Sequence, residues 1–174
     1  MDDRVTVVRT AITGYEDELR DLLRAYFTKA GERGREWFDD DEFGADIETI
    51  VADDLDRLAS PAIDEPLVLA LVDDRIAGSA QLKRLDGTNI EMKRLYVRPG
   101  DRGDGIGRRL VETATDAAAA DGFETLRLGV APYHDAARSL YRGLGFETTP
   151  QYDGSQTPPE LVDDWQFLKY SLED

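Results

Sequence analysis

Cysteine is absent from this chain and histidine occurs once, at His134. The first absence excludes disulfides, thiolate metal sites and a cysteine nucleophile. The second excludes a histidine-rich metal centre, so the expectation is chemistry without a metal. Lysine is scarce too: only Lys29, Lys83, Lys93 and Lys169 occur, the remaining bases are arginine, and the formal net charge is −16. An acidic surplus of that size argues against nucleic-acid binding, because neutralising phosphates needs surplus cations. In composition alone the chain is similar to proteins of salt-loving organisms, whose acidic surfaces stay soluble where charges are screened. No apolar run approaches the roughly 18 to 20 residues of a membrane span, and the start MDDRVTVVRT lacks the basic n-region and apolar core of a signal peptide. The expectation is therefore a cytoplasmic protein with no membrane partner.

What is present suits a folded domain. The chain has 174 residues, of which 41% are hydrophobic, enough for one domain over residues 1–174 with a full core. Arg4 to Thr10 is β-branched and loosely alternating, which predicts a first strand. Gly14 and Tyr15 lead into a helix with the apolar stripe Leu19, Leu22, Leu23, Tyr26 and Phe27, which Gly31 and Gly34 are expected to close. A loop holding Trp37, Phe38 and Phe43 contains the acidic run Asp39 to Glu42, which either attracts a cationic substrate or is a solvated face. A second helix carries Ile47, Ile50, Val51, Leu55 and Leu58 and stops at Ser60-Pro61. Leu67 to Val72 and Ile76 to Leu85, joined at Asp73-Asp74, predict an antiparallel hairpin. Asp86-Gly87 then turns the chain into a fourth strand, Ile90 to Val97, which nothing interrupts. Strands two to four thus form a meander.

Beyond Pro99-Gly100, three glycines alternate with other residues between Asp101 and Gly107, so several backbone N–H groups can converge on one point. Ile106, Leu110, Val111, Ala114, Ala117 and Ala118 follow at helical spacing, with Gly122 placed to end the helix. The loop therefore empties into a helix N-terminus, which suits a phosphate or pyrophosphate. A dinucleotide fingerprint fails on spacing: counted from Gly103 its last glycine falls on Arg108, and counted from Gly105 on Leu110. A Walker loop fails because no Lys-Ser or Lys-Thr pair follows the glycines. Thr125 to Val130 predicts a fifth strand, His134 to Arg142 a helix, Phe146 to Thr149 a sixth strand, and Asp164 to Leu172 a last one with Trp165, Phe167 and Lys169 on one face. The order β-α-α-β-β-β-α-β-α-β-β predicts one mixed α/β sheet with helices on both sides.

Arg102-Gly103-Asp104-Gly105-Ile106-Gly107 resembles the [RQ]-x-x-G-x-[GA] signature of the GCN5-related N-acetyltransferases at every specified position, and it is preceded by Leu95-Tyr96-Val97. Downstream, Ala137, Leu140, Tyr141, Gly145 and Phe146 are similar to that family's A-x-x-L-Y-x-x-x-G-F segment. The element order resembles the family's from first strand to last. The resemblance implies an acyl-CoA N-acyltransferase fold: a central, mostly antiparallel sheet with one parallel, splayed pair formed by the fourth and fifth strands. It also implies acetyl-CoA as co-substrate, its pantetheine arm along the exposed backbone of Leu95, Tyr96 and Val97. Its pyrophosphate would lie on the N–H groups of Gly103, Asp104, Gly105, Ile106, Gly107 and Arg108.

Transfer from a thioester to an amine needs a proton acceptor for the amine and a proton donor for the leaving thiolate. By position in the family pattern Tyr141 is the candidate acid: a phenol near 10 can protonate a thiolate near 8.5. Glu91 is the candidate base, with ordered water or a backbone carbonyl as alternatives used elsewhere in the family. His134 stands where the family often has an asparagine that contacts the cofactor, and it is either such a contact or a helix-start residue. Arg102 and Arg108 are candidate phosphate partners, whereas Arg109 and Arg138 read as surface residues. Asp104 beside two phosphates requires its carboxylate to point to solvent. The expected activity is acetylation of a primary amine on a small molecule or peptide. A non-catalytic acyl-CoA sensor or scaffold of the same fold is the alternative, and an interaction protein using Asp39 to Glu42 ranks behind both. Homodimers are common in the family and are expected here as a partner arrangement.

Overall fold

The computed structural model describes residues 4–44 and 46–172. The elements run β1 (Val5–Thr10), α1 (Glu16–Phe38), α2 (Ile47–Ala59), β2 (Leu67–Val72), β3 (Arg75–Arg84), β4 (Asn89–Val97), α3 (Ile106–Ala120), β5 (Thr125–Val130), α4 (Asp135–Gly143), β6 (Glu147–Thr149) and β7 (Gln166–Ser171), with single 3-10 turns at Pro99–Asp101 and Pro159–Leu161. The strands form one sheet in the order β1-β2-β3-β4-β5-β7-β6. Every neighbouring pair is antiparallel except β4 with β5. This is the mixed α/β sheet with a single parallel pair that the element order predicts.

The unbroken apolar run Leu67 to Val72 needs a sheet buried on both faces. Val68, Ala70 and Val72 enter one core with Leu110, Val111 and Ala114 of α3. Leu67 and Leu69 enter a second core with Leu19, Leu22 and Leu23 of α1 and Val51 and Leu58 of α2. Helices thus cover both faces, α3 on one and α1 with α2 on the other. The hairpin between β2 and β3 turns on Asp73 and Asp74, both at positive φ (52° and 67°), the geometry whose twist matches paired strands. Asp46 caps α2 by accepting from the amides of Glu48 and Thr49.

Three sequence expectations are corrected. First, Gly31 and Gly34 do not close α1; the helix continues through Trp37 and Phe38 and ends where Asp39 turns left-handed at φ 49°. Gly34 is a packing residue, since a Cβ there would lie 2.0 Å from the ring of Phe43. Second, Asp164 and Trp165 stay outside β7 because their amides bond back to the Leu161 carbonyl at 3.1 and 3.0 Å, so the strand starts at Gln166, two residues later than expected. Third, β4 is one continuous strand but its pairing is not regular: with β3 it passes from Gln81–Lys93 to Ser79–Tyr96. Two residues of β3 are thereby spanned by three of β4, a bulge with Arg94 at φ 57°.

Candidate active site

The site begins where the sheet opens. β4 pairs with β5 only over Asn89–Thr125, Ile90–Leu126 and Glu91–Arg127. Beyond that point β5 keeps β7 as its neighbour, and β4 from Met92 to Val97 has no β5 partner. The bulge turns this free half of β4 further, and it is fastened from the other side. The Arg94 guanidinium bonds Asp54 of α2 at 3.0 and 3.4 Å and lies over the Phe27 ring of α1 at 4.7 Å. A left-handed arginine is unfavourable by itself; this buried ion pair and cation–π contact hold it. The strands therefore splay, as the family resemblance implied.

The opening is a cavity of about 760 Å³ lined by residues from α1, β4, β5, α4 and the segment before β7. Glu91 and Tyr141 both line it, as do Leu95, His134 and Tyr152. Glu91 is 5% exposed. Its Oε2 accepts a 2.6 Å hydrogen bond from the Tyr152 hydroxyl, while Oε1 has no hydrogen-bond partner among the described residues. The Lys93 ammonium stands 3.9 Å from that free oxygen and donates to Gln156 at 2.8 Å. Tyr152 is braced edge-on against Phe167 and lies under the Arg127 guanidinium.

Tyr141 is buried among the core residues of α3 and α4, with Phe146 5.4 Å from it ring to ring. Burial, and then the neighbouring Tyr26, push its phenol well above the ordinary value, so it stays protonated at every ordinary pH. Burial, followed by the charge and hydrogen bond of Glu91, raises Tyr152 in the same way. His134 sits at the start of α4 against Tyr133 and Tyr26. Burial, with Arg33 nearby, lowers its imidazole to about 4, so it is neutral at pH 7.

At the far end of β4 the glycine loop leads into α3. Gly103 and Gly105 adopt φ of 97° and 77°, where side chains with a Cβ are strained. The Arg109 amide bonds the Gly105 carbonyl at 3.1 Å; the amides of Ile106, Gly107 and Arg108 precede that bond and lie in the orphan first turn. Asp104 is exposed. Arg102 donates to the Val97 carbonyl at 2.8 Å and stacks over Tyr96, so it braces the loop onto β4. Arg108 is exposed and pairs with Glu112 one turn on. Arg109 and Arg138, read as surface residues, are partly buried and bond the carbonyls of Val5 and Pro132, each at 3.3 Å. A Cβ built at Gly107 would lie 3.5 Å from Leu140 of α4, so the start of α3 passes close to the helix carrying Tyr141.

The structure thus brings Glu91, Tyr141, His134 and Leu95 into one cleft, with the glycine loop following the same strand. Sequence reasoning missed Tyr152, Lys93 and the Asp54–Arg94 pair. Lys93 was readable as a neighbour of Glu91 on one strand face, two residues on. Tyr152 sits in a turn-rich stretch with no periodicity, and no local signal points to it.

Comparison with known proteins agrees with this geometry. The model of the acetyltransferase (GNAT) family matches residues 17–146. Thialysine N-epsilon-acetyltransferase of Bos taurus is 34% identical over 68 residues, 39% of this chain and 40% of that protein. IAA acetyltransferase of Azospirillum brasilense is 36% identical over 94 residues, 53% of this chain and 60% of that one. The matches span less than two thirds of either relative. PaiA N-acetyltransferase from Thermoplasma acidophilum, crystallised with coenzyme A, superposes with a TM-score of 0.69 at 18% identity, over 98% of this chain and 99% of that one. The chain belongs to the GNAT acetyltransferase family.

Proposed function

We propose that this member of the family transfers an acetyl group from acetyl-CoA to a primary amine. The observation that carries the reading is the strand split itself, which opens a buried carboxylate and a buried phenol onto one cleft that adjoins a glycine loop and helix N-terminus. Acetyl-CoA supplies the activated acyl carbon, and the rest is assigned to groups of this chain. The backbone of β4 from Leu95 to Val97, paired with β3 but free on its β5 side, hydrogen-bonds the pantetheine arm. The amides from Gly103 to Arg108 hold the pyrophosphate with the positive end of α3 behind them, which needs no metal. Glu91, its orientation set by Tyr152, offers Oε1 to the proton of the incoming amine. Tyr141, kept neutral by burial, is the proton source for the departing thiolate, whose own basicity the same low-dielectric surroundings raise. His134, neutral at pH 7, faces the same cleft and contacts the cofactor as a hydrogen-bonding group.

The relative named for thialysine supports an amine acceptor without identifying this chain's own. The decisive experiment measures the melting temperature with acetyl-CoA and free-thiol release with a panel of primary amines. At about 100 times the dissociation constant the stabilisation should reach about 2.7 kcal/mol, and at least one amine should release CoA. A folded protein whose melting temperature ignores saturating acetyl-CoA would overturn the reading.

A further inference from the structure

Lys93 follows Glu91 by two residues on β4, and the regular register Lys83–Glu91, Leu82–Met92, Gln81–Lys93 puts both side chains on one face of the strand. Its side chain is 10% exposed and its ammonium stands 3.9 Å from Oε1 of Glu91, too far for a hydrogen bond. That oxygen is the unpartnered one; Tyr152 holds the other. Any amine that is to give a proton to Glu91 must approach Oε1, and an amine of the chain itself already stands beside that place. The same cavity joins Lys93 to Tyr141 and Leu95. We propose that Lys93 is an internal acyl acceptor, becoming Nε-acetylated from bound acetyl-CoA when no external amine occupies the cleft. This inference rests on the acetyl-transfer reading above.

The step balances without further reagents. The Lys93 ammonium gives a proton to Glu91, and the neutral Nζ attacks the thioester carbon. The carbon–sulfur bond breaks, the thiolate takes the Tyr141 proton, and the nitrogen's second proton restores the phenol. The products are Nε-acetyl-lysine, free CoA and one proton, which Glu91 releases to solvent. The surroundings favour the neutral amine. Burial first and Arg94 second bring Lys93 down to about 8; Arg57 of α2 and Lys83 of β3 act in the same direction, and Glu91 opposes them. Acetylation would remove the charge beside Glu91 and fill the approach to Oε1, so the modified protein should also be slower toward external amines.

The test needs only wild-type protein, acetyl-CoA at pH 8 without added amine, and peptide mapping over Lys29, Lys83, Lys93 and Lys169. The expected result is one acetyl group at Lys93, added about 10²-fold faster than the mean of the other three lysines and slowed by excess free CoA. Glu91→Gln should slow it further, and Lys93→Arg should abolish it while keeping the melting-temperature rise with acetyl-CoA. Labelling of Lys93 no faster than the other lysines would overturn the proposal. So would an equal preference for Lys93 with acetyl phosphate, which has no CoA handle and reports amine reactivity alone. An unmodified Lys93 in protein that acetyl-CoA stabilises defeats this inference only, whereas no stabilisation defeats the acetyl-transfer reading as well.

Discussion

At the glycine loop beyond β4, the polar groups offered to a ligand are main-chain amides of consecutive residues. At Glu91, near the other end of the same strand, they are side chains delivered from segments as distant as Glu91 and Tyr152, 61 residues apart. The loop is exposed and rests on the positive φ of Gly103 and Gly105. The carboxylate is buried, its geometry depends on Tyr152 and Lys93, and the phenol it shares a cleft with is shifted by burial. An end built of backbone tolerates side-chain change and carries little pH dependence of its own. An end built of buried titratable groups is sensitive to single atoms and to pH.

The largest effect expected from that difference is at Tyr141. Tyr141→Phe keeps the ring packing against Phe146 and removes only the proton donor, so turnover should fall by about 10² to 10⁴-fold. The acetyl-CoA dissociation constant should change only a few-fold, because the loop is untouched. Steady-state kinetics and a binding titration on the one variant measure both; unchanged turnover would remove Tyr141 from the mechanism.

Next in size is an acid sensitivity from His134. Its pKa falls from 6.5 unfolded to about 4 folded, so between those values the unfolded chain binds more protons. The stability His134 allows is fully present above pH 6.5 and is lost as pH falls toward 4, on the order of 3 kcal/mol across the window. Urea unfolding of wild type and His134→Asn at pH 7 and at pH 4.5 checks this. The variant should lose less stability on acidification, and equal losses would place the acid sensitivity elsewhere, in the carboxylates.

The smallest effect belongs to the backbone end. Nothing lies within 4 Å of a Cβ built at Gly105, so Gly105→Ala should cost only the conformational strain of its φ, about 1 to 2 kcal/mol. If the pyrophosphate is held there, the added methyl should hinder its approach. A weakened acetyl-CoA titration with a small drop in melting temperature is the expected pair of results; wild-type affinity would mean that the pyrophosphate is not held at Gly105.

Most of the fold was legible because its signals are local. The two-faced apolar run of β2, the turn at Asp73-Asp74 and the heptad-like stripe of α3 each declare themselves within a few residues. The misreading of α1 is instructive for the same reason. Gly31 and Gly34 are weak helix formers, but the helix runs through both, and at Gly34 the missing side chain leaves room for Phe43 from beyond the helix. Trp165 looked like a strand residue on pattern alone, and a single turn bond to Leu161 decided otherwise.

By itself the amino-acid order determined the seven strands and four helices in succession and the glycine loop, since each follows from backbone preferences acting over a turn or a strand; Glu91 and Tyr141 stood out only by their places in the family pattern. Tertiary structure alone decided that β4 bulges at Arg94, because only Asp54 from α2 and Phe27 from α1 hold a left-handed arginine there. It also decided that Tyr152 locks one oxygen of Glu91 while Lys93 stands beside the other. Such contacts join segments far apart in the chain, and their energy exists only once the sheet has brought those segments together.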